Sequence, residues 1–166
     1  MSDPLPQASA LPAPAVLAIQ HALHAIPMNA TVGVRITYVG VGWATGACPD
    51  SAPYRNHLGT IHAAAQFLLA EAVSGAAFAG AFAAQLGHAV PLIERLDTHY
   101  IGRAVGDLSA RAQIDPATIA GAHAAYAAEG KARLTVHVTV QDGENKDVMR
   151  AAAHWYLRSM ASLRGN

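Results

Sequence analysis

Asn56, His62, Glu71 and Ser74 are the side chains whose types and spacing in this sequence could do chemistry. Glu71 is the only formally charged residue between Arg55 and Glu94, and its neighbours include Phe67, Leu68, Leu69 and Val73. A carboxylate in apolar surroundings is costly to ionise, which makes it a stronger base once it is ionised. Such a group suits activation of a water or direct attack on an electrophile. The plainer reading is a buried carboxylate satisfied by backbone and by Ser74, one turn further on. His62 reads first as a structural residue of the helix start. Asn56 reads either as a loop-capping residue or as a group that orients a carbonyl or a water.

These residues must be positioned by the apolar run that follows Arg55. It predicts one long buried helix, with Thr60 as N-cap and Gly87 as its stop. Unbroken, that helix is about 40 Å long, and Gly75 and Gly80 are the places where it is expected to bend or end early. Its first-turn N–H groups lack intrahelical partners and lie at the positive end of the helix dipole. The N–H groups of Ile61 to Ala64 are therefore expected to hold a carbonyl and its developing oxyanion, at roughly 3 to 4 kcal/mol per good donor. Glu71 lies eight residues beyond Ala63, about 12 Å along the same helix, too far to attack a carbonyl held at its own helix start. The geometry calls for a second copy, packed antiparallel across a two-fold axis so that each Glu71 meets the partner's helix start.

The rest of the chain supplies a wrapper. Residues 1–14 hold four of the nine prolines and read as a loose leader before a single domain over 15–166. Val16, Ile19, Leu23 and Ile26 mark a short amphipathic helix ending before Pro27. Val32, Val34, Ile36 and Tyr38 alternate with polar or small residues as a half-buried strand, followed by a second near Trp43 to Cys48. After the long helix come strands at about 92–101 and 105–114 and a helical excursion over 116–129 ended by Gly130. Strands at 132–141 and 148–157 complete the order α-β-β-α-β-β-(α)-β-β. Short connections imply an antiparallel sheet, hence an α+β fold in which that sheet wraps one long central helix.

Composition narrows the function classes. Net charge is zero and the lysines and arginines are scattered, which argues against nucleic acid as a partner. Charged residues make up only 13%, against about 25% in ordinary soluble domains, and this favours a homo-oligomer with covered surface. The apolarity over 63–84 is mostly alanine and glycine, interrupted by Gln66, Glu71 and Ser74, so no membrane span is expected. A single cysteine and the lack of a basic leader suggest a cytoplasmic protein. No HxH or HExxH pair appears, so no metal site is expected.

Asn56, Gly59, His62, Ala63, Ala64, Leu69, Ala70 and Glu71 together resemble the motif N-x-x-G-x-x-HGG-x-x-x-x-LA-D/E of the hot-dog fold thioesterases, in particular the phenylacetyl-CoA thioesterase-like branch. The resemblance runs from about Val16 to Arg158, and the two glycines after the histidine are here Ala63 and Ala64. It implies a hot-dog fold and hydrolysis of an acyl-CoA or aryl-CoA thioester in a dimer or tetramer. No cofactor is implied beyond the coenzyme A of the substrate. Glu71, Asn56, Ala63 and Ser74 are the expected catalytic set, and Gly59, His62, Ala64 and Phe67 the expected substrate contacts. The alternative is a non-catalytic hot-dog module that binds an acyl-CoA or related ligand. A hydratase of the same fold lacks its Asp-to-His pair here.

Overall fold

The computed structural model describes residues 10–163. The expected leader lies mostly outside them, and α1 (Ala13–His24) begins inside its last residues. A short helix α2 (Pro27–Val32) follows, opened by Pro27 and closed by Gly33 at a left-handed φ of 84°. Then come β1 (Arg35–Gly40), β2 (Trp43–Cys48), a 3-10 turn over Ala52–Tyr54 and the long helix α3 (Ala63–Ala81). The second half comprises β3 (Ala89–Tyr100), β4 (Leu108–Gln113), α4 (Pro116–Glu129), β5 (Lys131–Gln141), β6 (Asp147–Ser159) and the single turn α5 (Met160–Leu163).

The six strands form one sheet in the order β1-β2-β4-β5-β6-β3, and every pairing is antiparallel. Strict alternation carries this sheet. In β5, Ala132, Leu134, Val136, Val138 and Val140 are buried and the residues between them face outward or are half-covered. The inward faces close on α3, whose Leu69, Val73 and Phe78 are at most 1% exposed. Each such side chain stabilises the fold by roughly 1.5–3 kcal/mol relative to leaving it in water. By length and composition α3 could cross a membrane, but 67% of its most apolar window is buried inside this chain. A twisted antiparallel sheet around one long helix is the hot-dog fold, as the sequence led us to expect.

Three expectations about elements need correction. Helix α3 starts at Ala63 with His62, not Thr60, as N-cap. It ends at Ala81, so its length is about 28 Å. It is continuous through Gly75 and ends one residue after Gly80, one of the two places where an early end was expected. Gly80 serves close packing: a Cβ there would lie 2.1 Å from the Gly40 carbonyl oxygen. Finally, the alternating run at 32–38 is split. Val32 ends α2, and a bulge between Ile36 and Tyr38 turns Val39 inward and leaves Tyr38 exposed, stacked on Trp43.

Strand β3 lies at the sheet edge and carries Pro91, a residue that edge strands tolerate because one side of the ladder is unpaired. Most of its residues are exposed or half-buried, Leu92 and Tyr100 among them. Among the described residues this edge is unpaired, and it shows Leu92 and Tyr100 beside the charged Glu94, Arg95 and Asp97.

Candidate active site

The loop before α3 is built by Asn56. Its Oδ1 accepts the N–H groups of Leu58 (2.9 Å) and Thr60 (3.2 Å), and its Nδ2 donates to Thr60 Oγ1 (3.0 Å). Its own N–H donates to the Thr60 carbonyl at 2.8 Å. Gly59 sits within this turn at φ 74°, exposed, with open space around it. The Asn56 Oδ1 and one of its two Nδ2 hydrogens are thus used within its own loop, which positions the helix start.

The helix start is tied down from three directions. Ile61 N–H donates to the Ala104 carbonyl (3.0 Å), and His62 N–H donates to the Tyr54 carbonyl (2.8 Å). His62 Nδ1 accepts the Ala64 N–H at 3.0 Å, so that nitrogen carries no proton and the ring proton is on Nε2. Of the four N–H groups from Ile61 to Ala64, only that of Ala63 has no acceptor among the described residues. The expected four-donor site is therefore one open donor, beside a second that His62 holds in a cap. Tyr100, which sequence reasoning missed, donates its hydroxyl to the Ala63 carbonyl at 3.3 Å. A tyrosine at a strand end carries no local signal; only the sheet brings it to α3.

At 3.6 residues per turn, Ala63, Ala64, Phe67, Leu68 and Glu71 share one side of α3. It is the side the sheet leaves open: Ala63, Ala64 and Phe67 are exposed, and Leu68 and Glu71 are half-buried. The Glu71 carboxylate has neither an ion pair nor a hydrogen bond among the described residues. Burial pushes its pKa above the ordinary carboxylate value, because leaving water penalises the charged form. Ser74 does not face Glu71's carboxylate. It is fully buried, donates its hydroxyl to the Glu71 main-chain carbonyl (2.7 Å) and accepts the Trp155 indole N–H (3.0 Å). The structure thus brings His62, Ala63, Ala64, Phe67 and Glu71 to one face, and sends Asn56 into the loop and Ser74 into the core.

Two exposed arginines, Arg95 and Arg103, differ in availability. Arg95 is engaged on the outer side of β3 with Asp97 (3.0 Å) and His154 (3.1 Å). Arg103 is exposed, one residue from the Ala104 carbonyl that anchors Ile61. Among the described residues, no group of three or more metal-ligating side chains converges.

Residues 17–157 match the family described as "Domain of unknown function (DUF4442)". The chain belongs to this family. Its fold has solved counterparts. A Pseudomonas aeruginosa protein described as of unknown function and a probable thioesterase superposes with a TM-score of 0.76 at 26% identity, over 91% of this chain and 98% of that one. A thioesterase enzyme from Staphylococcus aureus gives 0.60 at 15% identity, over 79% and 98% of the two chains. A thioesterase from Haemophilus influenzae gives 0.61 at 15% identity, over 84% and 87%. No curated protein matches the sequence of this DUF4442 member.

Proposed function

We propose that this protein hydrolyses acyl-CoA thioesters at composite sites between two copies of the chain. The single observation that carries the reading is the open face of α3. It presents an unpaired, half-buried carboxylate at Glu71 and an unspent N–H at Ala63, about 12 Å apart along one helix. Likeness to the Pseudomonas aeruginosa protein described as a probable thioesterase supports the same chemistry. In a two-fold pair with α3 helices antiparallel, each Glu71 faces the partner's Ala63. The exposed edge of β3, with Leu92 and Tyr100, is available to bury against that second copy.

In that arrangement the thioester carbonyl accepts the Ala63 N–H, and the helix dipole favours the charge that builds on its oxygen. The partner's Glu71 either takes a proton from the attacking water or attacks the carbonyl carbon itself, forming a mixed anhydride that a water hydrolyses after the thiol has left. The carbon–sulfur bond then breaks and coenzyme A leaves as thiolate or thiol. In this reading Phe67, Ala64 and His62 border the substrate, and the exposed Arg103 is the proposed partner of the coenzyme A phosphates.

Hydrolysis of a panel of acyl-CoA thioesters, with Glu71→Ala as the control, tests this. Turnover that survives the substitution sinks the assignment of Glu71. A second reading, a module that binds acyl-CoA without turning it over, draws on one observation: three of the four N–H groups at the helix start are already spent. Tight binding of an acyl-CoA with no thiol release by the wild type is its signature.

A further inference from the structure

A cavity of about 230 Å³ lies beside the α3 start, between that helix, α2 and the 3-10 turn. Met28 and Val32 come from α2, Pro53 and Tyr54 from the turn, and Ala64 and Leu68 from α3. Three of its polar side chains already have partners. The Tyr54 hydroxyl donates to the Thr31 carbonyl, Thr31 Oγ1 donates to the Pro27 carbonyl, and Arg55 is paired with Asp50. A ligand entering here meets mostly hydrocarbon from Met28, Val32, Pro53, Ala65 and Leu68, with the His62 ring and the remaining Arg55 N–H groups as the polar part of the lining. The volume is below the roughly 300–1,000 Å³ of sites that enclose a whole drug-sized ligand, so the cavity takes part of a ligand.

We infer that this cavity is the acyl subsite and that it selects an unsubstituted hydrocarbon chain of medium length. The inference rests on the thioesterase reading above. His62 and Ala64 line the cavity on one side and flank Ala63, whose N–H is the open donor. A carbonyl held at Ala63 therefore has the cavity mouth as its neighbour. A methylene takes about the volume of one water, roughly 30 Å³, so the cavity holds on the order of eight carbons. A polar group on the chain where it lies among Met28, Val32 and Leu68 loses its water without replacement, which costs a factor of about ten to one hundred. Met28, exposed at the rim, and Leu68, half-buried on the wall, set the size of the space.

The test is the chain-length profile of kcat/KM for saturated straight-chain acyl-CoAs from acetyl to palmitoyl, with 8-hydroxyoctanoyl-CoA as the polar probe. For the wild type, kcat/KM rises about fourfold per added methylene, the factor expected for burying one, and levels off near eight carbons. The hydroxylated probe falls about ten- to one hundredfold below octanoyl-CoA. Met28→Trp moves the plateau two or more carbons shorter and Leu68→Ala moves it longer, opposite shifts that partial unfolding does not produce. If the wild type hydrolyses these thioesters but neither variant moves the plateau, or if the hydroxylated probe is used as well as octanoyl-CoA, the cavity assignment is overturned and the thioesterase reading stands. If no thioester is hydrolysed, both fall.

Discussion

Two inactive variants of this protein should restore activity when they are combined. Ala63→Pro deletes the one unspent N–H of the α3 start. Ala63 is the first helical residue, and His62 before it has φ −64° and ψ 143°. Proline is at home at a first helical position after an extended residue, so the fold is kept and the cost falls on the oxyanion: about 10²–10³ in kcat. Glu71→Gln removes the carboxylate and keeps its shape. Because the two groups lie about 12 Å apart on one helix, no single chain can use both on one carbonyl. In a dimer that pairs Glu71 with the partner's Ala63, a mixed pair holds one site with both lesions and one with neither. Random reassortment makes about half of all dimers mixed, so about a quarter of wild-type activity returns. Hydrolysis is followed by release of the coenzyme A thiol after the two variants are unfolded together and refolded. If the mixture stays at the level of its parents, or if Ala63→Pro alone keeps full activity, the shared site is refuted.

Further outcomes follow from single contacts. The pKa of Glu71 is raised by burial, so the fold favours its protonated form; the stability this brings is fully present below the unfolded-state value and is lost as pH rises through the folded-state value. Glu71→Gln therefore stabilises the protein near neutral pH in urea titrations, with the gain shrinking toward zero in acid. A gain that grows in acid contradicts the assigned sign. Ser74→Ala strands the buried Trp155 indole N–H, costing about 1–3 kcal/mol, or a Tm lower by about 2–4 °C per kcal/mol. Turnover per folded molecule should not change, and loss of turnover without loss of Tm would return Ser74 to the chemistry. Arg103→Ala should raise KM for acyl-CoA severalfold with kcat unchanged, the mark of lost phosphate contact. The same KM for wild type and variant excludes that contact.

The α+β class, the antiparallel sheet and the single buried helix were legible in the chain because their signals are periodic and local. Alternation over 132–141 needs no tertiary partner to be seen, and neither does an uncharged run around one glutamate. The boundaries of α3 were not legible. Thr60 is drawn into the turn that Asn56 closes, His62 takes over the cap, and Gly80 is there for the approach to Gly40. Each of these depends on a partner that a propensity argument cannot see. The same limit applies at the site. Residue types and spacing along one helix put Glu71 about 12 Å from the helix start, and with it the need for a second copy. Which N–H groups remain free, where the Ser74 hydroxyl goes and how Tyr100 reaches Ala63 were decided by tertiary structure, because each depends on the neighbour that packing brings within about 3 Å of a polar atom.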